Sequence, residues 1–363
     1  MNPLFKEIRH NPLLWLLVFV PAVFACHELK PEAHTLSFVL SVFAIVPLAA
    51  LLSHATESVA AKTGDAAGGL LNATLGNLTE LVIALTALRA GQYMLVKASV
   101  AGAIVTNTLF MMGASFLLGG LKYHVQEFNR VSARLQAGLL FLATVALLIP
   151  SAVSEADSRA AGFTQELSVG LSLLLIVAYG LFMLFSLKTH RELFASAEAG
   201  EAGEAHWPMG LALATLAGVT VLVALVSEVF VESVQEAAAT FGMSAAFVGF
   251  IVVALVSAAA EMASAFSGAR KNRLDLSVGI ALGSASQIAL FVAPALVLLS
   301  YTLGPTPMDL RFWPGAVVMM LIATLTASLV TNSGRSTWFV GALAVMVYLV
   351  FALTLYLLPP RVQ

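Results

Sequence analysis

Apolar residues in this chain come in long unbroken runs, closed off by charges, glycine or proline, rather than in the stripes of a soluble fold. A run of about 20 residues, rising roughly 1.5 Å each as a helix, matches a bilayer core about 30 Å thick. Eleven such runs predict transmembrane helices over 12–26, 33–60, 66–88, 95–119, 132–150, 168–187, 209–240, 245–268, 274–300, 312–331 and 337–358. The first is short, and 33–60 and 209–240 are long enough to tilt or protrude. The expected fold class is all-α, a polytopic membrane protein.

The one long polar stretch that breaks the series is 188–208, where Glu192, Glu198, Glu201 and Glu204 stand among Ala and Gly ahead of Trp207-Pro208. It separates an extra amino-terminal helix (1–32) and a five-helix half (33–187) from a second five-helix half (209–363). Five is odd, so the second half enters the membrane from the opposite side, as in the inverted repeats of many secondary transporters. Each half carries a glutamate in the middle of its second helix, Glu80 and Glu261, followed by a charged hinge and then a helix bearing a carboxamide. Asn107 lies 27 residues after Glu80, and Gln287 lies 26 after Glu261.

Charge sets the expected orientation. With the amino terminus cytoplasmic, 12 of the 18 Lys and Arg residues fall on the inner side, as the positive-inside rule requires, and the carboxyl terminus lies outside. The chain is 60% hydrophobic and 10% charged with a net charge of −2, so no basic field suggests nucleic acid. A single cysteine, Cys26, excludes an internal disulfide and a cysteine cluster. Lys6 and Arg9 before the apolar run 13–24 imitate a signal peptide, but ten further spans make an uncleaved first helix the simpler expectation. The expected location is the bacterial plasma membrane.

An ionised carboxylate at a helix centre in the bilayer costs about 2.5–3.5 kcal/mol even on forgiving scales. All four aspartates sit in loops or at helix ends, so only Glu80 and Glu261 need such a justification. Before Glu80, the stretch 68–79 is rich in Gly and Asn; Gly76-Asn77 weakens the helix and predicts unwinding that turns main-chain carbonyls toward a cavity. Asn77 and Glu80, three residues apart, share a face. Close helix packing is the plainer use of these glycines, and both uses are compatible.

Two carboxylates balance one divalent ion, and Ca2+ takes about 6–8 oxygens at roughly 2.3–2.6 Å. Candidate supporting donors are the carbonyls near Gly76 and Ser257, the amides of Asn77, Asn107 and Gln287, and the hydroxyls of Ser99 and Ser284. Nothing nearby supplies the His/Cys set that zinc or copper prefers. Desolvation and mutual repulsion make the carboxyl pair hold protons when no metal is bound, so protons and metal compete for one site. Exchange follows if the protein reorients only when loaded.

The stretches His54-Ala55-Thr56-Glu57, Gly68 to Thr74, Gly76-Asn77-Leu78-Thr79-Glu80-Leu81 and Leu88 to Tyr93 resemble the first repeat of Ca2+/H+ exchangers of the Ca2+/cation antiporter superfamily. Residues 283–292, Gly-Ser-Ala-Ser-Gln-Ile-Ala-Leu-Phe-Val, resemble the matching part of their second repeat. The resemblance implies ten core helices plus one, an acidic cytoplasmic segment (here 192–204), and cation binding by Glu80 and Glu261 with nearby oxygens. One departure stands out. Where the family's second repeat has Gly-Asn-Ala-Ala-Glu-His, this chain has Ser257-Ala258-Ala259-Ala260-Glu261-Met262, losing a glycine, an amide and a histidine. That half of the site is poorer in ligands, and Na+, K+ or Mn2+ become harder to exclude.

Glu57 matches the family's Ala-Thr-Glu and is a candidate for ion access from the cytoplasm; Glu228, Glu232 and Glu236, four residues apart, form an acidic stripe near the outer end of a long helix. The segment 192–204 lacks the ligand spacing of an EF-hand and reads as a linker. A Ca2+/H+ antiporter is expected, with Na+(K+)/H+ or Mn2+/H+ exchange as alternatives and a passive channel behind them. Partners are the transported cations and the lipid bilayer, and no cofactor is called for. An enzyme is not expected: the membrane aspartates of an intramembrane protease are missing, as are H-E-x-x-H and G-x-S-x-G motifs.

Overall fold

The computed structural model describes residues 3–63, 65–156, 163–194 and 207–360. They form α1 (Pro3–His10), a 3-10 segment at Pro12–Val18, α2 (Phe19–Leu29), α3 (His34–Ala60), α4 (Asp65–Leu75), α5 (Leu78–Arg89), α6 (Tyr93–Val105) and α7 (Met112–Tyr123). After β1 (Val125–Glu127) come α8 (Arg130–Ala156), α9 (Thr164–Leu184), α10 (Met209–Thr240), α11 (Ala245–Phe247), α12 (Ala254–Ser257), α13 (Ala259–Arg270), α14 (Leu274–Gln287), α15 (Ala293–Leu303) and α16 (Pro314–Thr331). The chain ends in β2 (Arg335–Thr337) and α17 (Trp338–Leu357).

Among the described residues, nine helices are long and apolar enough to cross a bilayer. A tenth span is a pair, 245–257 with 259–270, bent by 58°. The remaining expected span, 66–88, is present as two short helices, α4 and α5, interrupted at Gly76-Asn77. The interruption lies where the Gly-Asn pair weakens helical propensity. Glu198, Glu201 and Glu204 of the acidic segment lie outside the described residues; Glu192 is exposed in a 3-10 turn.

The loops gather at two ends of the bundle. At one end β1 pairs antiparallel with β2. There Gln126 donates to the Ala269 carbonyl at 2.9 Å, Tyr123 donates to that of Arg270 at 3.0 Å, and Asn129 donates to Asp275 and to the Leu193 carbonyl. At the other end Tyr93 donates to the Thr306 carbonyl at 2.6 Å, Gln165 reaches the Met308 carbonyl at 3.1 Å, and Lys97 pairs with Asp309. α5 thus ends at the second face, whereas α13 ends at the first.

The third helix of each half forms the centre. The apolar window of 93–123 is 89% buried and that of 274–303 is 72% buried, against 22% for 164–189. Without a hydrophobic drive between helices in lipid, close contact comes from small residues. A Cβ on Gly102 would stand 2.2 Å from the Phe250 carbonyl oxygen, and one on Gly249 would stand 2.7 Å from Ala98 Cβ. These two glycines seat α6 directly on the segment 248–253 of the other half.

Both hinges after the glutamates close in the same way. Gly91 (φ 71°) and Asn272 (φ 60°) each take the left-handed conformation, which glycine and, less readily, asparagine allow. Gln92 N then donates to the Ala87 carbonyl and Arg273 N to the Gly268 carbonyl, both at 2.9 Å, capping α5 and α13 alike. Each left-handed residue lies 11 positions after its glutamate.

Candidate functional site

Glu80 is the third residue of α5 and Glu261 the third of α13, so both occupy the first turn of a helix that restarts inside the bundle. A helix start presents unpaired N–H groups and partial positive charge, which makes it tolerant of a carboxylate away from water. The preceding helices end at Leu75 and Ser257, and a helix end leaves main-chain carbonyls without partners inside the helix. Each break therefore offers both polarities at one depth. The two carboxyl groups are close enough for their charges to interact, and both keep part of their surface accessible.

The break in the second half forms without the glycine of the family pattern. Asn77 (φ −99°, ψ 32°) and Ala258 (φ −82°, ψ 5°) have ordinary negative φ values, open to any residue. Gly76 answers to space instead: a Cβ there would stand 2.7 Å from the Asn72 carbonyl oxygen and 3.5 Å from Gln287 Oε1.

Buried amides and a hydroxyl bridge the halves in one chain of hydrogen bonds. Asn107 Nδ2 donates to Ser284 Oγ at 2.9 Å, Ser284 Oγ donates to Asn77 Oδ1 at 2.8 Å, and Asn77 Nδ2 donates to Gln287 Oε1. The network engages the Asn77 and Gln287 oxygens, and Gln287 turns its buried NH2 group outward from the chain without a partner. Gln287 in this arrangement ties the second half to Asn77 of the first. Asn107 Oδ1, Ser257 Oγ and Glu261 Oε2 are buried and make no hydrogen bond. Buried polar atoms of this kind cost about 1–3 kcal/mol each when left unmatched.

Ser257 stands beside the Glu80 carboxyl without a hydrogen bond of good geometry, so a residue of the second half flanks the acid of the first. Ser284 stands beside Glu261, but its proton already goes to Asn77. Among the described residues no three His, Cys, Asp or Glu side chains form a metal cluster.

Other expected residues fall elsewhere. Ser99 bonds back to the Val96 carbonyl at 2.8 Å, about two helical turns before Asn107, and does not join the network. Glu57 accepts from Ser53 at 2.9 Å and lies within electrostatic reach of Glu261, so it flanks the pair on the side of α3. Glu228, Glu232 and Glu236 are exposed, Glu232 standing 4.0 Å from His27 and Glu236 3.3 Å from His34, on the loop face opposite Glu57. Pairs this exposed contribute little to stability.

Two features escape the sequence reading. Ser53, one turn before Glu57, has a signal only in its spacing. The third helices also widen into π-type turns, Thr106–Met111 holding Asn107 and Ile288–Val292 directly after Gln287. Such turns favour functional positions because they re-aim side chains without ending the helix.

The chain matches the sodium/calcium exchanger protein family over residues 33–188 and 211–357. It is 38% identical to a Ca2+/H+ antiporter of Aphanothece halophytica, covering 95% of this chain and 96% of the relative. It is 42% identical to the Ca2+/H+ antiporter ChaA of Bacillus subtilis, covering 86% and 90%. Its fold superposes on the solved structure of native YfkE with a TM-score of 0.82 at 36% identity, covering 96% of this chain and all of that one. The interrupted second helices, the carboxyl pair and these matches lead to one assignment: the chain belongs to the sodium/calcium exchanger protein family.

Proposed function

We propose that this protein is a Ca2+/H+ antiporter in which protons and Ca2+ compete for a site built on Glu80 and Glu261. The observation that carries the reading is the placement of both glutamates in the first turns of interrupted helices, one from each half, near enough to sense each other's charge. Ser257, Asn107 and main-chain carbonyls at the two breaks complete the oxygen donors, while Asn77, Ser284 and Gln287 hold the helices in register. Curated relatives bearing the Ca2+/H+ antiporter name, and the solved antiporter YfkE, support the choice of ions.

Residues 33–187 and 209–363 act as two halves of opposite orientation joined by the linker 188–208, with 1–32 as an added helix. The matching left-handed caps at Gly91 and Asn272 support the repeat, and the opposite ends at which α5 and α13 finish support its inversion. The end bearing β1, β2 and Glu57 is the cytoplasmic one, which puts the carboxyl terminus outside. The working unit sits in the bacterial plasma membrane and takes its cations from water on either side in turn.

Proton flux in liposomes or everted vesicles, driven by Ca2+, Mn2+, Na+ or K+, tests the proposal. Ca2+ gradients should drive proton movement in the opposite direction. Flux driven only by monovalent ions would overturn the ion assignment, and Ca2+ flux without proton movement would make the protein a channel.

A further inference from the structure

We infer that the groove between α8 and the end of α9 binds one anionic phospholipid. It encloses a cavity of about 830 Å3 lined by Arg130, Arg134, Gly138, Leu142, Phe182 and Phe185, among others. Positions 130, 134, 138 and 142 follow at intervals of four, so they share one face of α8. The two arginines are exposed at the loop end that carries β1 and β2, and Leu142 lies deeper along the helix. Between them Gly138 opens the floor: a Cβ there would meet nothing within 4 Å. A polar mouth thus stands over an apolar slot, the shape of a headgroup followed by an acyl chain.

The charge at the mouth fits a phosphodiester. Asn129 Oδ1 already accepts from Val131 N at 3.0 Å and Ser132 N at 3.1 Å, so the start of α8 has its amides capped and an anion is held by the guanidinium groups. Among the described residues Arg130 makes one long contact, to Asn332 Oδ1 at 3.5 Å. Of the acids at this end, Glu127 is paired with Arg335 at 2.8 Å and Asp275 accepts from the Asn129 main-chain N–H, and neither lines the groove. Lys188, one turn beyond Phe185, adds positive charge at the same end. A soluble phosphate would use the arginines and leave the slot idle; a lipid uses both. Basic residues at a membrane surface each strengthen attraction to anionic lipid about five-fold.

The full chain in nanodiscs of phosphatidylcholine with a minor share of phosphatidylglycerol, released for native mass spectrometry, supplies the test. One phosphatidylglycerol should stay bound per chain in preference to phosphatidylcholine. The double variant Arg130→Gln/Arg134→Gln should lose about 30-fold in that preference, and Gly138→Leu, whose Cβ has open space and whose further carbons reach into the slot, should abolish retention. Thermal melting of both variants checks that they remain folded. Free glycerol 3-phosphate in excess should not displace the lipid. Equal retention of the two lipids, unchanged retention in either folded variant, or displacement by glycerol 3-phosphate would each overturn the assignment. So would a Gly138→Leu variant that keeps its lipid and changes oligomeric state, which would make the groove a contact between copies.

Discussion

The two interrupted helices, 65–89 and 245–270, do the same thing with different residues. In the first, Gly76-Asn77 supplies a tight fit and an amide that bonds to Ser284 and Gln287; in the second, the equivalent Ser257-Ala258 supplies a bare hydroxyl and a methyl group. Both still break and both place a glutamate three residues into the restarted helix. A Gly-Asn pair is therefore not required for the break, and in the first helix that pair also locks it onto the second half. The first break is the braced one, through Asn77, and the second is the one with unmatched oxygens, on Ser257 and Glu261.

Replacing the acids should erase the contrast between the halves. Glu80→Gln and Glu261→Gln should each lower Ca2+-driven proton flux by more than about 100-fold, the effect of removing a charge from a poorly hydrated site that must bind a cation. If either variant exchanges at full rate, the shared-site proposal fails. Next comes the fit at Gly76. Gly76→Val drives a side chain toward the Asn72 carbonyl and should cost about 1–3 kcal/mol of stability, read as a lower melting temperature in detergent.

Asn77→Ala tests the brace alone. It removes two hydrogen bonds across the halves and should cost about 1–2 kcal/mol, with weaker Ca2+ binding by isothermal titration. Ala258→Gly, at the equivalent position, should cost the least stability, under about 1 kcal/mol, read as the smallest fall in melting temperature, because its backbone conformation favours no particular residue. Equal losses at 77 and 258 would mean that the two breaks are held alike.

How legible these parts are in the sequence follows from their physics. Helix number and position are readable because the bilayer sets a length that an apolar run either meets or does not. The glutamates are readable because a charge in hydrocarbon needs a reason, and the unwinding at Gly76-Asn77 because two weak helix formers stand together. Ala258 breaks its helix with no such mark. Nor does the local sequence mark the widening at 106–111 and 288–292. Asn107 and Gln287 are visible as amides at matching positions, yet which lone pairs remain free is settled by a hydrogen-bond order that no single stretch encodes. Ser99 shows the limit from the other side: a hydroxyl at mid-depth is as often satisfied by its own helix as by an ion.

The bonds that satisfy Asn77 come from residues 207 and 210 positions later in the chain. While the ribosome is still making the second half, that amide has no permanent companion, and loop closure over so long a stretch is slow. The nascent amino-terminal half therefore carries one polar group whose folded-state partners are still to be made. Its maturation waits for the arrival of residues 284–287.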